Sequence, residues 1–313
     1  MWARRSENNN DGWTSITFPQ GRVEVARVRR STGGKPQLLA WDSFAMEAGE
    51  LEALKRLRSA RHLGNGPSTT LLRHGQYQLL QTESPSVTRE EQREAVRWRI
   101  KEQVEFPIET AVVDVLDIPA PSAGSGRAQQ IFVVAAGSAQ VVPRIHLFQD
   151  AKVPLNAIDI PELAQRNVAA LFEEENRGLA MLAFNDEGGL LTFTYHGELL
   201  ASRFIDIKRD ALAAADKGEG GLFNRVLLEV QRSLDNFERA NSFTSLSRVL
   251  VAALPGNNGF IDYMKENLYQ KVEMLDLAQA VDLSAIPVLV DPVRQAEAVS
   301  AIGAALRNEV PIQ

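Results

Sequence analysis

GLAMLAFNDEGGLLTFTYHGELLASRFIDI, residues Gly178 to Ile207, decides how this chain reads. Three short apolar runs, Leu179–Phe184, Leu190–Tyr195 and Leu199–Ile205, are separated by Asn185-Asp186-Glu187-Gly188-Gly189 and by His196-Gly197. Asn, Asp and Gly accept the backbone angles of tight turns, so the stretch predicts a meander of three antiparallel strands. The first turn carries a second potential. Consecutive backbone N–H groups in a polar, glycine-rich turn can face an anion, and an Asp beside them can hold that anion's metal. Asp186, Gly188 and Gly189 are therefore either an ordinary hairpin turn or a phosphate site.

Working outward, a matching pattern stands near the start of the chain. Trp13–Phe18, the turn Pro19-Gln20-Gly21 and Arg22–Arg30 read as a hairpin, with Gln37–Phe44 as a third strand and Glu47–Leu63 as an amphipathic helix striped by Leu51, Leu54 and Leu57. Ser68–Leu72 and Tyr77–Gln81 follow as short strands around Arg73-His74-Gly75. After the meander, Leu222–Asn241 is a long helix with Phe223, Val226, Val230, Leu234 and Phe237 on one face. An apolar strand at Ser247–Leu254, helices at Phe260–Leu268 and Ala296–Leu306, and a strand at Val272–Leu275 complete that half. Three strands plus a helix thus occur twice, in a duplicated α/β architecture of meanders rather than strict alternation.

Between the halves lies VTREEQREAVRWRIKEQVEFPIETAVVDV, Val87 to Val115. Thr88 and Glu91 form a capping box, Val96, Ile100 and Val104 share a face, and Phe106-Pro107 stops the helix. Strands at Ala111–Ile118 and Ile131–Ala136 flank a Pro/Ser/Gly-rich loop, Pro119–Gln129. A helix over Ala139–Lys152 should turn Val141, Ile145 and Phe148 inward; Leu155–Asp159 is then a strand and Pro161–Glu174 a helix. The helix from Thr88 with its two strands reads as a subdomain inserted in the first half. Trp98 sits about 200° around the helix from Val96 at ~100° per residue. We expect it to be a second core contact, between the insert and the first lobe, the alternative being a partner-facing aromatic; Arg97, Arg99 and Lys101 should form a solvated face.

Composition narrows the function classes. The 313 residues are 44% hydrophobic and 24% charged, with net charge −6. That fits a soluble globular chain of two domains or of one two-lobed fold, and carries no basic footprint for nucleic acid. Cysteine is absent, which excludes disulfides and thiolate-held metals. No apolar run approaches the ~20 residues that span a bilayer. The start, MWARRSENNNDG, lacks a signal-peptide core and reads as a loose tail over Met1–Gly12. The expectation is a cytoplasmic protein without a membrane span. His62, His74, His146 and His196 have no ligand spacing, no nucleophile elbow or paired-carboxylate pattern is present, and Gly218-Glu219-Gly220-Gly221 lacks the Lys and hydroxyl of a P-loop.

Three segments carry a family resemblance: EEQREAVRWRIKEQVEFPIETAVVDV (Glu90–Val115), VLLEVQRSLDNFERANS (Val226–Ser242) and AVSAIGAALR (Ala298–Arg307). They are similar, in order, to the EAVRWE…FP, EIQRSLDYFE and C-terminal helix segments of the PilM family. The chain resembles most nearly the MshI branch, which serves mannose-sensitive haemagglutinin (MSHA) type IV pili. The resemblance covers about Trp13 to Arg307. It implies an actin-like, two-lobed α/β fold of the actin/Hsp70/FtsA type. Lobe 1 (1A) would take 13–78, 153–177 and 290–313, the inserted 1C subdomain 79–152, and lobe 2 (2A/2B) 178–289. It also implies a cytoplasmic part of a pilus assembly platform, held at the inner membrane by the tail of a PilN-like bitopic protein docked between 1A and 1C, among other platform proteins.

For cofactors the resemblance implies ATP with Mg²⁺, held through Asp186, Gly188, Gly189 and, on the QRSLD helix, Ser233 beside Arg232. Three departures oppose this. The first turn, Thr17-Phe18-Pro19-Gln20-Gly21, lacks the family's acidic residue and loses an N–H at Pro19. The second adds Glu187 beside Asp186. The family's Gly-Gly-Gly strand end is replaced by Ala252-Ala253-Leu254. We therefore expect a degenerate site, no cofactor, no metal and no catalysis. An ATPase that gates pilus or type II secretion platform assembly is the alternative. A secretion protein of the GspL kind is a third reading, set apart because that family continues into a membrane helix after the point where this sequence ends.

Overall fold

The computed structural model describes residues 12–31, 33–61, 63, 66–119, 128–215, 221–257 and 259–308. The expected tail before Gly12, most of the Pro119–Gln129 loop, His62 and the glycine loop before Gly221 lie outside them.

The chain begins with β1 (Trp13–Thr17), β2 (Arg22–Arg29) and β3 (Gln37–Ala45), then α1 (Gly49–Arg61) and β4 (Ser68–Leu71). The insert follows as β5 (Gln78–Glu83), α2 (Arg89–Ile100), β6 (Val112–Asp117), β7 (Gln130–Ala136) and α3 (Ser138–Asp150). The chain returns through β8 (Ala157–Asp159) and α4 (Pro161–Ala169). The second half is β9 (Gly178–Phe184), β10 (Gly189–Tyr195), β11 (Glu198–Ile205), α5 (Arg209–Ala213), α6 (Leu222–Ala240), β12 (Leu246–Val251), α7 (Phe260–Asn267), β13 (Val272–Met274) and α8 (Pro292–Ala305).

The duplication is explicit in the sheets. One runs β3-β2-β1-β4-β8 and the other β11-β10-β9-β12-β13. In each, the first three strands are an antiparallel meander, and the last two join parallel to the meander's first strand. All five residues of β1 are buried, as a strand covered on both faces requires. Ile16 and Val25 join the α1 side chains Leu54 and Leu57 in one cluster, while Ala26 and Val28 pack with Ala298 and Ile302 of α8 in another.

Two helices cross between the sheets. α8 packs on β1 and β2 of the first sheet, whereas α4 packs on β9, β10 and β11 of the second. At their crossing a Cβ on Gly303 would lie 2.1 Å from the Ala164 carbonyl oxygen, so only glycine lets the backbones approach this closely. Polar groups pin the crossing. Ser15 Oγ donates to the Ala301 carbonyl at 2.6 Å, and Asn167 Nδ2 to that of Gly303 at 2.9 Å. Gln165 Nε2 donates to Met181 O, Leu190 O and Thr192 Oγ1, tying α4 to lobe 2.

The whole expected stripe of α6 is buried, and Phe237 stacks on Phe193 with centroids 4.6 Å apart. The insert is a β5-β7-β6 sheet with Val96 and Ile100 of α2 against Ile131 and Val133. Three details of the insert differ from the sequence reading. Ile145 is exposed, and the inward face of α3 is Val141, Arg144 and Phe148, because Arg144 buries its stem while its charge meets Glu50. Trp98 is not a core contact: it is 66% exposed, with the Lys101 ammonium 5.5 Å from its ring centroid. Arg97, expected to be solvated, donates to the carbonyls of Ile108 and Ala111 and so fastens α2 to the segment that follows it.

Candidate functional site: the cleft between the lobes

Equivalent strands of the two sheets deliver their first turns to the same place. The β1–β2 turn, the β9–β10 turn, the end of β4 with Arg73 and His74, and the start of α4 surround a cleft of about 580 Å³. Glu24, Arg22 and Ser43 reach it from β2 and β3, and Arg209, Arg294 and Glu297 also line it.

The two turns touch. Asp186 Oδ2 accepts from the backbone N–H of Gln20 at 2.6 Å. Beside it, Glu187 accepts from the Arg73 guanidinium and, through its other oxygen, from the backbone N–H of His74 at 3.0 Å. The His74 ring lies flat on Phe204 of β11, centroids 3.5 Å apart and planes 9° from parallel. The turn's own donors face inward: Asn185 Oδ1 accepts from the N–H groups of Glu187 at 2.8 Å and Gly188 at 3.1 Å. The N–H groups of Gln20, His74, Glu187 and Gly188 and the Arg73 guanidinium are thus engaged by carboxylate and amide oxygens of the protein itself.

The glycines have a packing reason. A Cβ on Gly188 would come within 2.5 Å of the Phe204 ring and 2.8 Å of the Ile205 carbonyl oxygen. One on Gly189 would come within 2.4 Å of the Phe184 ring. Of the candidate residues, the structure brings Asp186 and Gly188 to the cleft wall, and Gly189 begins β10 beside them. Ser233 does not line the cleft; its Oγ donates back to the Glu229 carbonyl at 2.7 Å within α6. Arg232 is exposed and reaches Glu229 at 3.7 Å. Ala252, Ala253 and Leu254 are buried away from the cleft lining.

The cleft residues that sequence reading does not single out include Glu24, Arg73, Tyr77 and Glu162. Arg73 was findable, since it follows the carboxyl end of a parallel strand, where open α/β sheets hold their ligands. Burial raises the Glu24 carboxyl to about 7, against the opposing Ser43 hydrogen bond and with repulsion from Glu297. Tyr77 donates its phenol proton to Glu162 at the start of α4. Burial raises both groups, and the Glu162 charge pushes Tyr77 further up. The Arg73 guanidinium is raised by its hydrogen bond to Glu187. Among the described residues, no group of three or more His, Asp or Glu side chains is placed to hold a metal ion.

Two five-stranded sheets of one topology, crossed helices between them and a cleft where their first turns meet define the actin-like ATPase fold. No family model matches the chain, and neither does any curated protein sequence. Among solved structures, the PilM-PilN type IV pilus biogenesis complex is similar over 95% of this chain and 98% of that one, at 20% identity and a TM-score of 0.71. A Bacteroides thetaiotaomicron protein with an actin-like ATPase fold and unknown function is similar over 90% and 97%, at 7% identity and a TM-score of 0.51. The cytoplasmic domain of EpsL, an inner-membrane component of the Vibrio cholerae type II secretion system, covers 91% and 94% at 12% identity and a TM-score of 0.46. No described helix is long and apolar enough to cross a membrane.

Proposed function

We propose that the protein is a non-catalytic, actin-fold scaffold of a type IV pilus assembly platform, of the MSHA kind, whose nucleotide site is degenerate. It works on the cytoplasmic face of the inner membrane by docking the tail of a PilN-like bitopic protein, beside other platform proteins, and takes no ATP, Mg²⁺ or nucleic acid. The observation that carries the scaffold reading is the 2.6 Å bond from Gln20 N–H to Asp186, which closes the gap between the two turns where a phosphate chain would lie. A phosphate arriving there would meet two carboxylates instead of free N–H donors, and like charges brought together in a cleft repel. The PilM-PilN likeness supports the choice of platform and partner.

For docking, the insert supplies a wall beside lobe 1. Its α3 packs against α1 and leaves Val142 and Ile145 exposed, an apolar pair suited to anchoring an extended peptide or short helix. Calorimetric titration with the cytoplasmic tail of the PilN-like protein tests this. Tight binding by the native chain, weakened at least tenfold in a Val142→Glu/Ile145→Glu double variant, is expected. Binding that is absent from the native chain, or undiminished in the variant, overturns the docking site. The runner-up reading, an ATP-dependent gate, is favoured only by the volume of the cleft, about 580 Å³. Mg-ATP titration separates the two.

A further inference from the structure

The contacts that the β9–β10 turn makes across the cleft run one way, from lobe 1 donors to its own carboxylates, which nucleotide loss alone does not require. Asp186 and Glu187 belong to lobe 2 and their donors to lobe 1, while one pair of the opposite polarity, Arg209 of lobe 2 and Glu297 of lobe 1, stands 3.7 Å apart in the same cleft. Asp186 takes the N–H of Gln20 in the first turn, and Glu187 takes the Arg73 guanidinium and the N–H of His74 after β4. The turn that presents these acids is rigid. Asn185 accepts from two of its N–H groups, its ends pair through Asn185 N–H to Gly188 O at 2.9 Å, and Gly188 and Gly189 seat it against Phe204 and Phe184. Phe204 in turn carries the flat stack with His74. Two separate lobe 1 loops are therefore gripped by one preformed acidic turn of lobe 2.

We propose that the β9–β10 turn is a built-in latch, in which Asp186 and Glu187 act as an internal anion that holds the two lobes closed without a ligand. An external phosphate chain could bridge the lobes only while bound, and its loss would let them part. Here the bridging charge is covalently part of lobe 2, so the local concentration of the anion at its donors is fixed by the fold. The lobes consequently keep one relative position in the absence of nucleotide, which suits a scaffold whose docking wall spans lobe 1 and the insert. This inference rests on the reading that the cleft carries no nucleotide, and names how that cleft is regulated instead.

The chain contains no cysteine, so one engineered pair reports the lobe separation cleanly. Glu47→Cys after β3 and Lys208→Cys after β11 are exposed positions on opposite lobes and can be spin-labelled for pulsed dipolar distance measurement. In this background Asp186→Ala and Glu187→Ala should each shift the distance distribution to longer separations, and the double variant should shift it further. Asp210→Ala is the control: Asp210 lines the same cleft and carries the same charge, but its ion pair with Arg209 at 3.3 Å lies within lobe 2, and its loss leaves the Arg209–Glu297 pair in place. It should leave the distribution unchanged. Distributions that coincide with the parent in all latch variants overturn the latch, as does an equal shift in the control, which would mean bulk charge and not these bonds. Circular dichroism melts confirm that each variant is folded; where the alanine variants fail, Glu187→Gln, which keeps the shape and removes the negative charge that faces Arg73, takes their place. All variant arms are read without nucleotide and judge the latch alone. Adding Mg-ATP to the parent judges the underlying reading: a shift there overturns the nucleotide-free cleft, whatever the variants do.

Discussion

Arg144 of α3 and Glu50 at the start of α1 form a 2.9 Å ion pair, with the Arg144 side chain almost wholly buried and its guanidinium 4.8 Å from the Phe18 ring centroid. The pair joins the insert to lobe 1 by charge, while Phe148 one turn on joins it by packing against Phe18 and Val153. Arg144→Ala should cost about 2 kcal/mol, combining a lost charged hydrogen bond with a lost cation–π contact. Glu50, more exposed, should matter less, under ~1 kcal/mol for Glu50→Gln. Urea melts measure both; an unchanged midpoint in Arg144→Ala would show that the insert is held by apolar packing alone.

Phe237 is the second test of the core. It is 2% exposed and stacks on Phe193, so Phe237→Ala should cost ~3–5 kcal/mol. A melt indistinguishable from the native protein would contradict the packing of α6 on the second sheet.

Glu24 makes stability depend on pH in a definite sense. Its folded carboxyl titrates at about 7, above the ordinary carboxylate value of 4.5, so between those two values the folded state holds a proton that the unfolded state has released. Stability from this group is complete below the unfolded value and is lost as pH rises through the folded one. Glu24→Gln should therefore gain on native protein by roughly 1–3 kcal/mol between about pH 5 and about pH 8. Thermal melts of the pair at both pH values decide it, and a constant difference would show that Glu24 is ionised in the native cleft.

Mg-ATP should bind no tighter than about millimolar, a free energy of roughly −4 kcal/mol. Calorimetry provides the check. A micromolar constant that weakens in Asp186→Ala would mean that the turn faces phosphate and not Gln20.

Trp98 should be dispensable for folding. With its ring two-thirds in solvent, Trp98→Ala should stay within about 0.5 kcal/mol of native stability. A larger loss would place the indole in a contact that the isolated chain does not show.

The strands and helices were legible because their patterns are local. The α6 stripe repeats every three to four residues, and the Thr88/Glu91 cap and the Asn185–Gly189 turn are complete within a few positions. Side-chain placement was less legible wherever a long polar residue competes with an apolar neighbour. Sequence spacing favours Ile145 for the interior, but Arg144 is buried because Glu50, 94 residues earlier, meets its charge. Trp98 looks like core by composition, yet the insert's sheet is already filled by Val96 and Ile100. The cleft contacts were illegible for the same reason: Gln20 and Asp186 are 166 residues apart, and no local pattern announces their bond.

The crossing of α8 over the first sheet also sets an order of assembly. Ser15 waits for the Ala301 carbonyl, 286 residues further on, and β4 waits for β8 beyond the insert. The second sheet, by contrast, uses one continuous stretch from Gly178 to Met274. At translation speeds of ~5–20 residues per second, Ser15 is without its partner for roughly 15–60 s. During synthesis the half that starts last is finished first, and the apolar underside formed by Ala26 and Val28 stays bare until the final helix leaves the ribosome. That interval is when this chain is most open to aggregation and most in need of a chaperone.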